Sequence, residues 1–246
     1  MSRVFFSHVS QFGRPPTDKR ILSALHEDTK PRGGTISDGQ GGFQLRYLSL
    51  KPIEKWSAWN ETAPTSVQNP EAIQRVIGQV IHDYDFLALT ERLDESLVAM
   101  QLLLDLPVSD ILSTSSKVGG GYFYVKHNGK SRCIPLQKSF RSPAVQAYLE
   151  SDEWYAQNYG DYLLFAAANH SLDMTIERLG KERFAKALQE YREAMKLVKE
   201  ECDAKTIFPC STSGKKQSGL SRKNCYHGDE GCGYPCVDEL ERQGLW

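Results

Sequence analysis

Apolar residues recur at helical spacing over much of this chain. Between Glu71 and His82, Ile73, Val76, Ile77 and Val80 fall on one face, and Pro70 suits the first turn of that helix. Lys181 to Cys202 repeats the pattern, with Phe184, Leu188, Tyr191, Met195 and Val198 inward and charges outward. Pro143 opens a helix through Tyr148 and Leu149. Trp154 to Ala168 carries Tyr155, Tyr159, Tyr162, Leu163 and Phe165, read as a core-facing stripe. Ser171 to Leu179 continues it, and Gly180 suits a C-cap. A shorter helix is expected over Asp18–Glu27.

One stretch changes period. Asp85-Phe86-Leu87-Ala88-Leu89 is a nearly continuous apolar run, as expected of a strand buried on both faces of a parallel sheet. Thr90 can cap the following helix, and Glu91, Asp94 and Glu95 put negative charge in its first turns. Leu93, Leu97, Met100 and Leu104 then share a face that Val98 and Leu103 widen, and Leu106-Pro107 ends the helix. Asp110–Ser113 reads as a short strand and Gln44–Leu50 as a short strand or helix. Strand feeding helix is the building unit of α/β proteins.

The remaining segments are loops. Gly33-Gly34 and Gly39 to Gly42 lack the strand before and the Lys-Ser/Thr after that a phosphate loop requires. Ser115–Gly121, with Lys117, is a loop of small residues that can wrap an anion or serve only as a connection.

With 246 residues and a net charge of −1, the chain is long enough for a substantial core and carries no global field for nucleic acid. No run reaches the length of a membrane span. Cysteine usage adds more. Cys202, Cys210, Cys225, Cys232 and Cys236 crowd the end while Cys133 stands apart. Their spacings lack the close ligand pairs of structural zinc sites, which favours disulfides, no metal, and an oxidising compartment. A zinc-binding tail of Cys225, Cys232, Cys236 and His227 is the alternative. The sequon at Asn60 fits a secretory location, whereas Asn169 falls within a helix and reads as partly buried.

The stretch Leu87-Ala88-Leu89-Thr90-Glu91, followed by Leu93, Asp94-Glu95-Ser96 and Leu97, resembles the strand and "TE" helix of the Golgi-type carbohydrate sulfotransferases, of the galactose-3-O- and uronyl-2-O-sulfotransferase kind. Asp161-Tyr162-Leu163-Leu164-Phe165, Leu172-Asp173 and the helix at 181–202 are similar to that family's C-terminal helices. The cysteine-rich ending, Asn224-Cys225 through Cys236, is similar to a tail in some of its members.

The resemblance implies an α/β fold: a P-loop-NTPase-like parallel sheet flanked by helices, incomplete at its N-terminus, with a helical C-terminal half and a Cys-rich tail. Its expected organisation is a sulfotransferase-like domain over 1–210, a linker over 211–223 and the tail over 224–246. The implied reaction moves a sulfuryl group from 3′-phosphoadenylyl sulfate, the co-substrate, to a hydroxyl of a glycan or glycolipid. The implied compartment is the Golgi lumen or secretory pathway, with any membrane anchor upstream of this chain.

Family members hold the 3′-phosphate with Arg-x-Pro-x-x-Arg-x-x-Ser. Met1–His8 resembles its second half, giving Arg3 and Ser7 as donor-binding residues, with one residue more between them than the pattern has. Arg14, Pro16, Arg20 and Ser23 form a rival match, also one residue too long. The first strand, phosphosulfate loop, catalytic base and outer arginine are expected upstream of Met1. A non-catalytic binding protein built on the same fold is the alternative implication.

Overall fold

The structure, a computed structural model, describes residues 17–28, 44, 45, 48, 70–114, 122–127, 130–135, 142–217 and 233–245. Helices make up most of it: α1 (Asp18–Asp28), α2 (Pro70–Asp83), α3 (Leu93–Leu104), α4 (Pro143–Leu149), α5 (Asp152–Leu179), α6 (Lys181–Cys202) and α7 (Tyr234–Arg242). Two strands, β1 (Tyr122–His127) and β2 (Lys130–Pro135), pair antiparallel with Tyr124 opposite Cys133.

This overturns the parallel sheet. Among the described residues β1 and β2 form the only named sheet, and it is antiparallel. Asp85–Leu89, read as the buried strand, joins no ladder. Leu89 is buried and Leu87 packs beside Ile73, Ile77 and Val80, but Asp85 and Ala88 are exposed. An apolar run supplies side chains for burial; a strand also needs a neighbour to take its N–H and C=O groups. Asp110 to Ser113 is likewise no strand: Val108–Ile111 is a 3-10 turn.

The chain divides into two compact units, Met1–Leu89 with Ser139–Met174, and Thr90–Lys138 with Thr175–Trp246. In the first, Ile21 and Leu25 of α1 pack on Val145 of α4, with Trp154 alongside. Ser142 caps α4 through its hydroxyl, which accepts from Val145 N–H at 3.2 Å. A second cluster joins Leu45, Ile73, Ile77, Val80 and Leu164. The face read from Ile73, Val76, Ile77 and Val80 is the one that α2 buries.

In the second unit α3 packs against α6, and α7 also packs against α6. Helix α6 buries Phe184, Tyr191, Ala194, Val198 and Cys202, close to the face its sequence indicates. Helix α3 does not follow its pattern. Its buried residues are Ser96, Val98 and Ala99, while Leu93 is 49% and Leu104 63% exposed. Small side chains let two helices approach closely, and here they mark the packed face in place of the leucines. Thr90 does not cap α3: Thr90–Arg92 is a 3-10 turn, and Arg92 precedes the helix without a side-chain cap. At the other end Asp105 takes a left-handed conformation (φ 52°), and Leu106 N–H returns to Gln101 O at 3.0 Å before Pro107.

Candidate functional site

The polar residues of the stretch that carried the family resemblance are engaged in building the fold. Arg92 faces Glu95 with two hydrogen bonds, Nε to Oε2 at 2.6 Å and a terminal NH₂ to Oε1 at 3.0 Å. This fork-to-carboxylate geometry is half-buried, where such pairs hold orientation well. Asp94 accepts from Arg192 Nε of α6 at 3.4 Å across an exposed edge. The phenol of Tyr191 is raised above its ordinary value, first by burial and then by the Asp94 carboxylate, both of which disfavour the phenolate. Ser96 is wholly buried. Asp94, Glu95 and Ser96 therefore serve the α3–α6 joint and its entry turn.

The first unit contains a different kind of face. Tyr155, Tyr159 and Tyr162 stand along α5. The Tyr155 ring lies edge-on to Tyr159 at 5.7 Å and tilted over Tyr162 at 5.2 Å. Tyr159 packs on the cluster around Leu164, while Tyr155 and Tyr162 are 48% and 42% exposed. The stripe expected to be core is thus half core and half open aromatic surface. Asp161 accepts from the backbone N–H groups of Gln44 at 3.2 Å and Leu45 at 2.8 Å. Burial raises its carboxyl above the ordinary value, and the two N–H donors offset part of that rise.

The third constellation is covalent. Cys202 joins Cys236, and Cys133 joins Cys210. Cys133, set apart in the sequence, is paired. The β1–β2 hairpin that carries it has a local sequence signal outside the apolar periodicities described above: Asn128-Gly129 between Tyr122-Phe123-Tyr124-Val125 and Arg132-Cys133-Ile134 is a strong short-range hairpin pattern. The segment after Cys210 folds onto this hairpin. Lys216 pairs with Cys210 in an isolated bridge, and its Nζ lies 6.0 Å from the Tyr124 ring centroid. Gly214 (φ 77°) lies so close to Tyr122 that a Cβ there would strike the ring.

Of the residues expected to act or to be modified, Arg3, Ser7, Asn60, Cys225 and Cys232 lie outside the described residues, as do Lys117 and His227. Ser23, from the rival match, is exposed on α1. Asn169 is half-buried within α5. Cys202, Cys210 and Cys236 are disulfide-bonded. Two disulfides are compatible with an extracellular or secretory-pathway location. Among the described residues no helix is long and apolar enough to cross a membrane. Compared with protein-family models, curated proteins and solved structures, the chain matches none.

Proposed function

We propose that the chain belongs to a glycan-modifying sulfotransferase of the secretory pathway, with the Golgi lumen as its compartment. The donor is 3′-phosphoadenylyl sulfate and the acceptor a hydroxyl of a glycan or glycolipid. The observation that carries the reading is the residue pattern from Leu87 to Leu97, together with Asp161–Phe165 and Leu172-Asp173. The two disulfides support the compartment. Sulfuryl transfer depends chiefly on positioning and on cations and N–H donors that meet developing negative charge, by analogy with phosphoryl transfer. Arg3 and Ser7 are the proposed holders of the donor's 3′-phosphate.

Calorimetric titration with 3′-phosphoadenosine 5′-phosphate tests this. Binding is expected, with Ser7→Ala weakening it about tenfold, or roughly 1.4 kcal/mol. Absence of binding, or binding indifferent to both Ser7→Ala and Arg3→Ala, discards the donor assignment.

A second reading, a sugar-binding protein without catalysis, is favoured by the exposed ring stack of Tyr155 and Tyr162. Aromatic faces offer apolar area with fixed orientation, and phenol hydroxyls add hydrogen bonds. Here neutral oligosaccharides are expected to bind with no nucleotide requirement, and Tyr155→Ala with Tyr162→Ala to abolish that binding. Unchanged binding in the double variant removes this reading.

A further inference from the structure

Each disulfide joins a buried cysteine to a half-exposed one, Cys210 to Cys133 and Cys202 to Cys236, and what sets the second apart is the cavity at its exposed end. Cys202 is the last residue of α6 and is wholly buried, whereas its partner Cys236 is half-exposed. Cys236 lines a cavity of about 510 Å³ with Glu201, Lys205, Ile207 and Glu239. Its sulfur lies 3.7 Å from the Glu201 carbonyl oxygen, a contact that becomes a weak hydrogen bond only once a thiol proton is present. Cys236 is also the third residue of α7, after Tyr234 and Pro235. There the helix dipole favours a thiolate.

What the bridge holds is small. Helix α7 has 9 residues and buries only Val237 and Leu240. A helix of that length is marginal without tertiary support. Cys133–Cys210 is set differently: Cys133 sits on a strand, and the bridge spans 77 residues against 34 for Cys202–Cys236. On loop-closure grounds the longer span stabilises more.

We infer that Cys202–Cys236 is a redox latch on α7, opened by a dithiol that enters the cavity. One thiolate of the dithiol attacks Cys236 Sγ. The Cys202–Cys236 bond breaks, and Cys202 leaves as a thiolate and takes a proton from solvent. The second thiolate of the dithiol then attacks its own sulfur in the mixed disulfide. Cys236 leaves as a thiolate at the α7 N-terminus, and the dithiol becomes a cyclic disulfide. Two electrons pass from the dithiol to the protein. The opened state frees the Val237 and Leu240 face of α7.

The full chain is titrated with dithiothreitol, and exposed thiols are alkylated and located by mass spectrometry alongside amide exchange. Cys202 and Cys236 are expected to label at a dithiol concentration about tenfold below that for Cys133 and Cys210. Exchange in 234–242 is expected to rise at that point while exchange in 122–135 holds. A Cys202→Ala/Cys236→Ala variant is expected to show the same fast exchange in 234–242 without reductant. The latch is overturned if Cys133–Cys210 opens first or together with it. Protection of 234–242 persisting after the bridge opens, or in the double variant, overturns it equally.

Discussion

The first unit is joined by helices packing apolar faces; the second closes its distant segments with covalent bonds. Among the described residues both disulfides lie in the second unit. The bridges sit at the second unit's hairpin and its last helix. Helices α2 and α5, with 14 and 28 residues, present enough Ile, Leu and Val to bind Leu45 and Leu164 into one cluster. A lone hairpin is marginal in water, and so is a nine-residue helix. Both are held where a sulfur bridge fixes them, at Cys133 and at Cys236. At these two elements the link does not depend on buried area.

The most disruptive test of this contrast is removal of the hairpin bridge. Cys133→Ala with Cys210→Ala is expected to cost the second unit about 4 kcal/mol by loop closure. In urea titration followed by amide exchange, 122–135 should lose protection well before 70–83. Equal loss in both would break the comparison.

The converse change is Ile73→Ala, which opens a cavity in the first unit's cluster at a side chain with no exposure. The expected cost is about 3 kcal/mol, read as a lower denaturant midpoint for 70–83. A change within about 0.5 kcal/mol would mean that packing is not what holds this unit.

A smaller effect is expected at Gly214, where φ is 77° and Tyr122 covers the position. Alanine there meets both backbone strain and the ring, for a loss of about 1–2 kcal/mol. The loss should appear in hairpin exchange while both disulfides stay intact.

Asp161 gives the first unit a dependence on pH. Its carboxyl is raised by burial, so the folded state holds the proton more tightly than the unfolded chain. Its contribution is complete in acid and is lost as pH rises through the carboxylate range. Asp161→Asn removes that loss, so the variant should gain on the parent as pH rises above the ordinary aspartate value of about 4. Parallel stability curves for the two proteins would refute the assignment.

Least is expected of Arg192→Ala. The Arg192–Asp94 pair is 60% and 49% exposed, and such pairs contribute at most about 0.5 kcal/mol.

Regular helices were legible wherever a local signal set them. Pro70 and Pro143 open α2 and α4, and the spacing of Phe184, Tyr191 and Val198 marks the inner face of α6. The candidate site was less legible. Asp94, Glu95 and Ser96 form a conspicuous pattern, but only the position of Arg192 and Tyr191 on α6 shows that the pattern supports a helix joint. The Tyr155–Tyr162 stack has the sequence of a buried stripe, and its exposure depends on what packs against α5.

Sequence by itself indicated the helices other than α7, favoured disulfides over metal for the cysteines, and fixed the near-neutral net charge. Periodicity, capping and proline act over a few residues, and those are local. Tertiary structure alone decided that Leu87 and Leu89 pack without a strand partner, that α3 turns Ser96 and Ala99 inward, and that Cys133 finds Cys210 across 77 residues. Each of these depends on what a second, distant segment presents, and no pattern within the first segment encodes it.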